Sequence, residues 1–516
     1  MKFFVGVVNA LFTLLYFRVS AAYLQQSGYS VKKTIKAYYK SGAVGTAALI
    51  IISLVFAVSN YFLCAADLTP VLYVSYFGAL SVLSGYFLRK KLRVSLKFTK
   101  RLSRITALFA IINILLNISA AFIKNYAVFY SVLALQPAVS LITLCLSATI
   151  LIPYEKYKYF QYTKKCKAKL ESNPNLIRIG ITGSYGKTSV KNILKTVLSV
   201  KYRVLATPES YNTPFGICKT VNELTDSDEI FIAEMGARKK GDIAELSRLV
   251  SPSIGIITGI TNQHLETFGS INNIIDTKYE LILNLPENGF AVFSADNPYT
   301  VEMYDKCKIG KAIAGIKGAV KAENIKITEN GTEFVLNSGG ISAVIRTKLL
   351  GRHNVTNICL AAAVAEKLGL TAAQISFGAS LITPVPHRLE LTKSERGVYI
   401  LDDGYNSNEE GFYAAAEVLK GIGNRKIIVT PGIVELGNKQ YEINKRAAEK
   451  ASGCADCAVI VGKTNRAALA EGFAAGGMGK ENIITAENIT EVKNILKDIL
   501  KEGDSVLFEN DLPDIY

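Results

Sequence analysis

Acidic side chains are almost missing from the first third of this chain: residues 1–170 hold two, Asp67 and Glu155, against 21 Lys and Arg. The remaining residues carry 38 basic and 41 acidic groups, so the formal net charge of +16 belongs to the hydrophobic third. A nucleic-acid binder gathers its basic surface on a folded reading domain. Basic residues placed between apolar runs exclude that class, and no nucleic-acid partner is expected. Histidine is also scarce, at His264, His353 and His387 only. The eight cysteines have no metal-ligand rhythm. Cys454 and Cys457 form one Cys-x-x-Cys with no second pair, which excludes a four-cysteine zinc site and leaves ordinary reduced thiols.

Charge is absent altogether from four stretches, residues 41–63, 70–88, 105–123 and 126–152. Each supplies the roughly 20 residues a membrane-spanning helix needs. A pump or transporter places ionisable groups inside the bilayer, and these stretches have none. Asn113 and Asn117 fit helix–helix hydrogen bonds instead. Phe3–Phe17 is apolar but short and is followed by Arg18. It fits a fifth span, an uncleaved signal-like start or an interfacial helix, and the interfacial reading is preferred. Lys and Arg accumulate before the first stretch, between the second and third, and after the fourth, which by the positive-inside tendency puts both ends in the cytoplasm. The expectation is a membrane region over 1–152, acting as an anchor or lipid-substrate platform, then a basic juxtamembrane linker over 153–175. Everything after about residue 153 would be cytoplasmic.

A length of 516 residues requires more than one core, and a mean hydropathy of +0.24 with 20% charged residues requires cores of different kinds. Near Leu176 the pattern changes to short β-type runs alternating with helical periodicity, the signature of a mostly parallel α/β sheet. Ile177–Ile181 reads as a buried strand. It runs into Thr182-Gly183-Ser184-Tyr185-Gly186-Lys187-Thr188-Ser189, after which Val190, Ile193, Leu194 and Val197 have helical spacing. A strand, a glycine turn, Lys-Thr and a helix together aim backbone N–H groups at phosphates. The general P-loop pattern wants a glycine where this chain has Ile181.

The shorter Gly-x-x-Gly-Lys-Thr, preceded by Thr182, resembles the Mur ligase family of cell-wall synthesis. Further segments resemble that family in its own order: Tyr211-Asn212-Thr213-Pro214-Phe215-Gly216, the strand Phe231–Ala237 containing Glu234, Thr261–Glu266 containing His264 and followed by Lys278, Gly351–Asn357, and Pro384–Glu390. His387 stands where the family usually has glycine, so a different backbone is expected there. A second α/β alternation from about Gly397, with strands over 398–402, 426–430, 457–461 and 504–508, has the length of a Rossmann-like domain. Asp402-Asp403-Gly404-Tyr405-Asn406-Ser407-Asn408 and Gly432–Gly437 resemble the branch that adds D-alanyl-D-alanine.

The resemblance implies an α/β P-loop central domain over 176–392 and a C-terminal domain over 393–516, with ATP and Mg2+ as cofactors. It implies that Gly183, Ser184, Gly186, Lys187, Thr188 and Ser189 hold the phosphates, and that Asn354, Arg388 and Asp402 contact the nucleotide. Thr188 and Glu234 would hold one magnesium, and His264 with a carbamylated Lys278 a second. Lys187, His264 and Lys278 would be catalytic, and Tyr211, Asn212, Thr213, Tyr405, Asn406 and Asn408 would bind substrate. The chemistry implied is amide formation through an acyl phosphate. Two departures bear on the substrate. The membrane region occupies the place of the family's UDP-gripping domain, and Val506–Asp514 stands where the branch carries Lys-Gly-Ser. Three readings stay open: a ligase on a muramyl-peptide precursor, the same chemistry on a lipid-linked peptide or other envelope polymer, and a non-catalytic scaffold recruiting membrane-bound wall enzymes.

Overall fold

The computed structural model describes all residues except 1, 64–73, 83–84, 86–95, 209–210, 262–264, 340, 405–407, 435 and 511–516. The chain divides into two compact units near the Gln161–Tyr162 junction.

The first unit is helical, with helices Lys2–Gln26, Val31–Leu63, Lys100–Ala121 and Tyr126–Ile150. Among the described residues Gly6–Gln26 and Lys100–Ala121 are long and apolar enough to cross a bilayer, and Val128–Gln136 with Val139–Ile150 makes a third candidate if the bent pair counts as one span. The N-terminal helix is longer than the 3–17 stretch expected to lie at an interface. Its apolar face continues beyond Arg18 through Val19, Ala21, Ala22 and Leu24, all buried. The expected 41–63 stretch is part of the 33-residue helix Val31–Leu63, whose apolar core is the shorter Ala48–Ser59. Of the expected 70–88 stretch, residues 70–73, 83–84 and 86–88 lie outside the described residues, and 74–82 are helical. The expected 126–152 span is bent by 67° between Gln136 and Val139. Pro137 has no N–H for the carbonyl four residues earlier. That carbonyl, on Leu133, accepts instead from Asn9 Nδ2 at 2.9 Å, and Asn9 also donates to Gln136 Oε1 at 3.0 Å. Glu155, one of the few acids here, accepts a two-pronged bond from Arg104 at 2.7 and 2.8 Å.

The expected linker over 153–175 is mostly helix, Ile152–Glu171. Its last turns belong to the second unit, where Cys166 and Leu170 enter the core. Strands β1 (Ile177–Thr182), β2 (Val204–Ala206), β3 (Ile230–Glu234), β4 (Ile254–Ile257), β5 (Phe290–Ser294), β6 (Gly310–Gly315), β7 (Val320–Thr328), β8 (Gly331–Ser338) and β9 (Ile341–Thr347) form one sheet. Its order is β2-β3-β1-β4-β5-β6-β7-β8-β9, parallel as far as β7 and antiparallel beyond. The strands that are covered on both faces read as continuous apolar runs because alternate residues feed two cores. In β3, Ile230 and Ile232 pack on one side, with Val190, Ile193, Leu194 and Val197 of helix Lys187–Leu198, while Phe231 and Ala233 pack on the other.

A second sheet holds β10 (Glu390–Lys393), β11 (Tyr399–Asp403), β12 (Lys426–Thr430), β13 (Cys457–Val461), β14 (Ile483–Ala486) and β15 (Ser505–Glu509) in the order β10-β11-β15-β12-β13-β14. All pairs are parallel except the edge pair β10–β11. Pairing of β10 with β11 brings residues 390–393 into the C-terminal sheet, slightly earlier than the expected start at 393.

Candidate active site

Parallel α/β sheets collect ligands at the carboxyl ends of their strands, where the strand order reverses. Here β1 lies between β3 and β4, and the chain leaving β1 is the glycine turn. Gly183 has φ +152°, and a Cβ there would stand 2.1 Å from Thr258 Oγ1. Only glycine lets the loop press against the end of β4. Ser184 N donates to Gly259 O at 2.7 Å and Ser184 Oγ to Thr261 O at 3.3 Å. Gly186 then enters helix Lys187–Leu198 in the left-handed region.

A cavity of about 870 Å³ opens above this turn, lined by residues 183–189, Asn212, Thr213, Glu234, Lys278, His353, Asn354, Arg388, Asp403 and Asn408 among others. Both sheets of the second unit contribute. Lys187 Nζ donates to Gly183 O at 2.8 Å and to Ser184 O at 3.0 Å, folding the ammonium over its own loop. Desolvation lowers it to about 8, against the pull of Glu234 and with the push of Arg388. Thr188 Oγ1 donates to Glu234 Oε2 at 2.9 Å, and Arg388 reaches Thr188 Oγ1 at 3.4 Å. Asn212 Nδ2 donates to Glu234 Oε1 at 3.2 Å. Lys278, on helix Ile271–Leu283, is buried rather than the surface lysine that helical position suggests. Burial first, and Lys187 second, lower its amine to about 7.

Several expected residues sit differently. His264, Tyr405 and Asn406 lie outside the described residues. Tyr211 is not among the cavity's lining residues; its hydroxyl accepts from Lys219 at 3.1 Å. Asp402 pairs with His387, Nδ1 to Oδ2 at 2.8 Å, and its neighbour Asp403 lines the cavity instead. Burial pushes the Asp403 carboxyl up to about 6, against the pull of the Leu389 amide, Arg388 and the Glu509 side chain. His387 has φ +61°, in the left-handed region that favours glycine. Asn354 is buried and bonds Leu350 O at 2.8 Å, while desolvation holds His353 down to about 4. Asn408 caps the helix Glu409–Lys420 through Gly411 N at 3.0 Å.

Sequence reasoning missed three participants. Lys191, 1% exposed, donates to Glu234 Oε2 at 3.0 Å. Tyr185, in the glycine turn, accepts from Asn297 at 3.4 Å and bonds Glu410 of the C-terminal sheet's first helix. Asp296 accepts from Ile316 N at 2.9 Å, Lys317 N at 3.2 Å and Thr356 Oγ1 at 2.5 Å. Only Lys191 carried a signal, a lysine on the apolar stripe of its helix.

The Mur ligase middle domain matches residues 181–365, and the Mur ligase glutamate ligase domain matches residues 387–509. The chain is 32% identical over 338 residues to UDP-N-acetylmuramoyl-tripeptide--D-alanyl-D-alanine ligase of Bacillus subtilis (strain 168), covering 64% of this chain and 72% of that protein. The chain belongs to the Mur ligase family. The Escherichia coli (strain K12) ligase of the same name is 31% identical, over 62% of this chain and 71% of its own length. Among solved structures, MurF from Acinetobacter baumannii superposes with a TM-score of 0.63 and 26% identity, over 68% of this chain and 77% of that one. MurF ligase from Thermotoga maritima in complex with ADP gives a TM-score of 0.62 and 25% identity, over 69% and 81%. This Mur ligase is therefore an ATP-dependent enzyme that forms amide bonds, and the scaffold reading is set aside.

Proposed function

We propose that this Mur ligase couples D-alanyl-D-alanine to the peptide carboxylate of a UDP-N-acetylmuramoyl-tripeptide, the reaction named for its bacterial relatives. The observation that carries the chemistry is the contact of Thr188 with Glu234 at 2.9 Å beside Lys187, at the end of β1. The residues from Asp402 to Asn408, which resemble the D-alanyl-D-alanine-adding branch, support the choice of amine.

A carboxylate does not accept an amine at neutral pH, because oxide cannot leave. In this reading a substrate carboxylate oxygen bonds to the γ-phosphorus of ATP while the bond to ADP breaks, giving an acyl phosphate and ADP. The amine adds to the acyl carbon, phosphate departs from the tetrahedral adduct, and a proton is lost. Lys187 and the N–H groups of residues 183–188 neutralise and align the transferring group. For this Lys187 leaves the carbonyls of Gly183 and Ser184. Asn212, Thr213, Tyr211, Tyr405, Asn406 and Asn408 are proposed on the substrate side, and Asn354, Arg388 and Asp402 on the nucleotide side. Asp402 would exchange His387 for the nucleotide.

Hard oxygen donors suit magnesium, and the Thr188 hydroxyl with the buried Glu234 carboxylate fits that ion. Lys278 fits the second metal position in one respect: burial lowers its amine to about 7, so at neutral pH a substantial fraction is in the unprotonated form that accepts CO2 as a carbamate. His264 would be its companion. Bound there, magnesium supplies charge stabilisation for the phosphate and carboxylate oxygens.

A lipid-linked acceptor is the second reading, favoured by the apolar helices in the place of a UDP-gripping domain. We place residues 1–152 in the membrane and the catalytic domains in the cytoplasm. The test is acceptor profiling. Purified protein given ATP, D-alanyl-D-alanine and either UDP-linked tripeptide or a lipid-linked counterpart is assayed for product mass and ADP. ADP release without any amide product from either acceptor would refute both readings.

A further inference from the structure

Lys191 is a poor choice for its position by every local rule. It lies between Val190 and Ile193 on the stripe that packs helix Lys187–Leu198 against β1 and β3, and it is 1% exposed. Burying an ammonium there is unfavourable unless it is paired. Its partner is Glu234, also 1% exposed, with Nζ 3.0 Å from Oε2. The same oxygen accepts from Thr188 at 2.9 Å, while Oε1 accepts from Asn212 at 3.2 Å. Glu234 is thus held by three donors from two segments, helix Lys187–Leu198 and the loop at Asn212, and Lys191 is its ion-pair partner.

We infer that Lys191 is a resident counter-ion of the metal site: it holds Glu234 in place and keeps the empty site from collecting a divalent cation, so that magnesium enters together with ATP. The inference rests on the reading that Thr188 and Glu234 are magnesium ligands. Its physical basis is charge. A buried carboxylate already paired with an ammonium presents little net attraction to a free cation, and a cation entering beside it meets repulsion from Lys191 at low effective dielectric. The triphosphate supplies the missing negative charge. Lys191 touches neither nucleotide nor reacting atoms in this scheme and is a positioning residue.

The scheme makes the neutral variant a better metal binder than the natural protein. Lys191→Met keeps the apolar packing and leaves the buried Glu234 with its Thr188 and Asn212 donors but without its ion-pair partner. Full-length protein in detergent is titrated with magnesium alone by calorimetry, and with ATP at stepped magnesium concentrations, alongside melting curves with and without the ion. The natural protein should bind magnesium only when ATP is present. Lys191→Met should bind it without nucleotide, should reach half-maximal ATP affinity at roughly tenfold lower magnesium, and should melt several degrees lower unless magnesium is added. Lys191→Arg should keep the natural dependence. The double variant Lys191→Met with Glu234→Gln, which removes both charges, should recover the melting temperature and lose the metal response.

An unchanged or higher magnesium requirement in Lys191→Met, with an equal drop in melting temperature at all magnesium levels, would reduce Lys191 to packing and overturn the inference. Should Lys191→Met not fold, folding of the double variant supports the counter-ion role and its failure to fold overturns it. A natural protein whose ATP affinity ignores magnesium would instead overturn the metal reading beneath it.

Discussion

Two lysines show how desolvation sets the chemistry of single residues in this cleft. Lys187 at about 8 and Lys278 at about 7 both lie below the usual lysine range, because water is withdrawn from each and Lys187 adds repulsion at Lys278. The unfolded chain holds these protons more tightly than the folded one. The resulting destabilisation is complete below the folded value and disappears as pH rises to the unfolded one, near 10.4. Lys278→Met is therefore expected to raise the melting temperature at pH 7 and to lose that advantage by about pH 10. A gain that persists unchanged across this range would rule out desolvation as its cause. Lys187→Ala should lower kcat by about a hundredfold or more, in line with removal of a group that stabilises transition-state charge. Its folded stability should hold or rise, so a loss of activity accompanied by unfolding would count against the assignment. Most of these residues were legible from the glycine turn and its Lys-Thr. Lys191 was not assigned, although a lysine on an apolar stripe is a visible breach of periodicity, because sequence alone does not say which carboxylate stands opposite.

The elements follow from patterns of two kinds, and they differ in legibility. Strands covered on both sides show as short apolar runs, and β1, β11, β12, β13 and β15 fall within a residue of the expected positions, while β3 ends at Glu234, three residues before the end of the expected stretch 231–237. In β3 the alternation of Ile230 and Ile232 against Phe231 and Ala233 feeds two separate cores. Phe231→Ala should accordingly cost about 3–5 kcal/mol, measured by denaturant unfolding of the full chain, whereas Lys239→Ala on the exposed loop after β3 should stay within about 0.5 kcal/mol. A small loss for Phe231→Ala would mean that its side of the sheet is not a packed core. The antiparallel β7–β9 was not expected. These strands have polar residues on one face, as in Lys321, Glu323 and Lys326, so their apolar signal is half that of a central strand. The bend at Pro137 was hidden for another reason. The Leu133 carbonyl that Pro137 leaves without a donor is satisfied by Asn9, 124 residues before Leu133, and no local window contains both.

At the scale of the catalytic unit, the cleft exists because two sheets meet over the glycine turn. Tyr185 interacts with Glu410 and Arg388 reaches Thr188, so the turn meets residues from the segment before β10 and from the C-terminal domain. Tyr185→Phe removes the hydroxyl that interacts with Glu410. It should raise KM for ATP several-fold while changing kcat little, because the contact favours closure without touching the reacting atoms. Steady-state kinetics check this, and a fall in kcat with unchanged KM would contradict it. By itself the sequence determined the family, the phosphate-binding turn and the division into an apolar helical region and two α/β domains, because those depend on spacings within a few residues of one another. Only the tertiary structure decided that Lys191 neutralises Glu234, that Asp402 is engaged by His387 while Asp403 faces the cavity, and that Lys278 is buried. Each of these depends on which distant strand or helix supplies the facing charge, and burial, which sets the strength of every such interaction, is a property of the packed chain rather than of any segment of it.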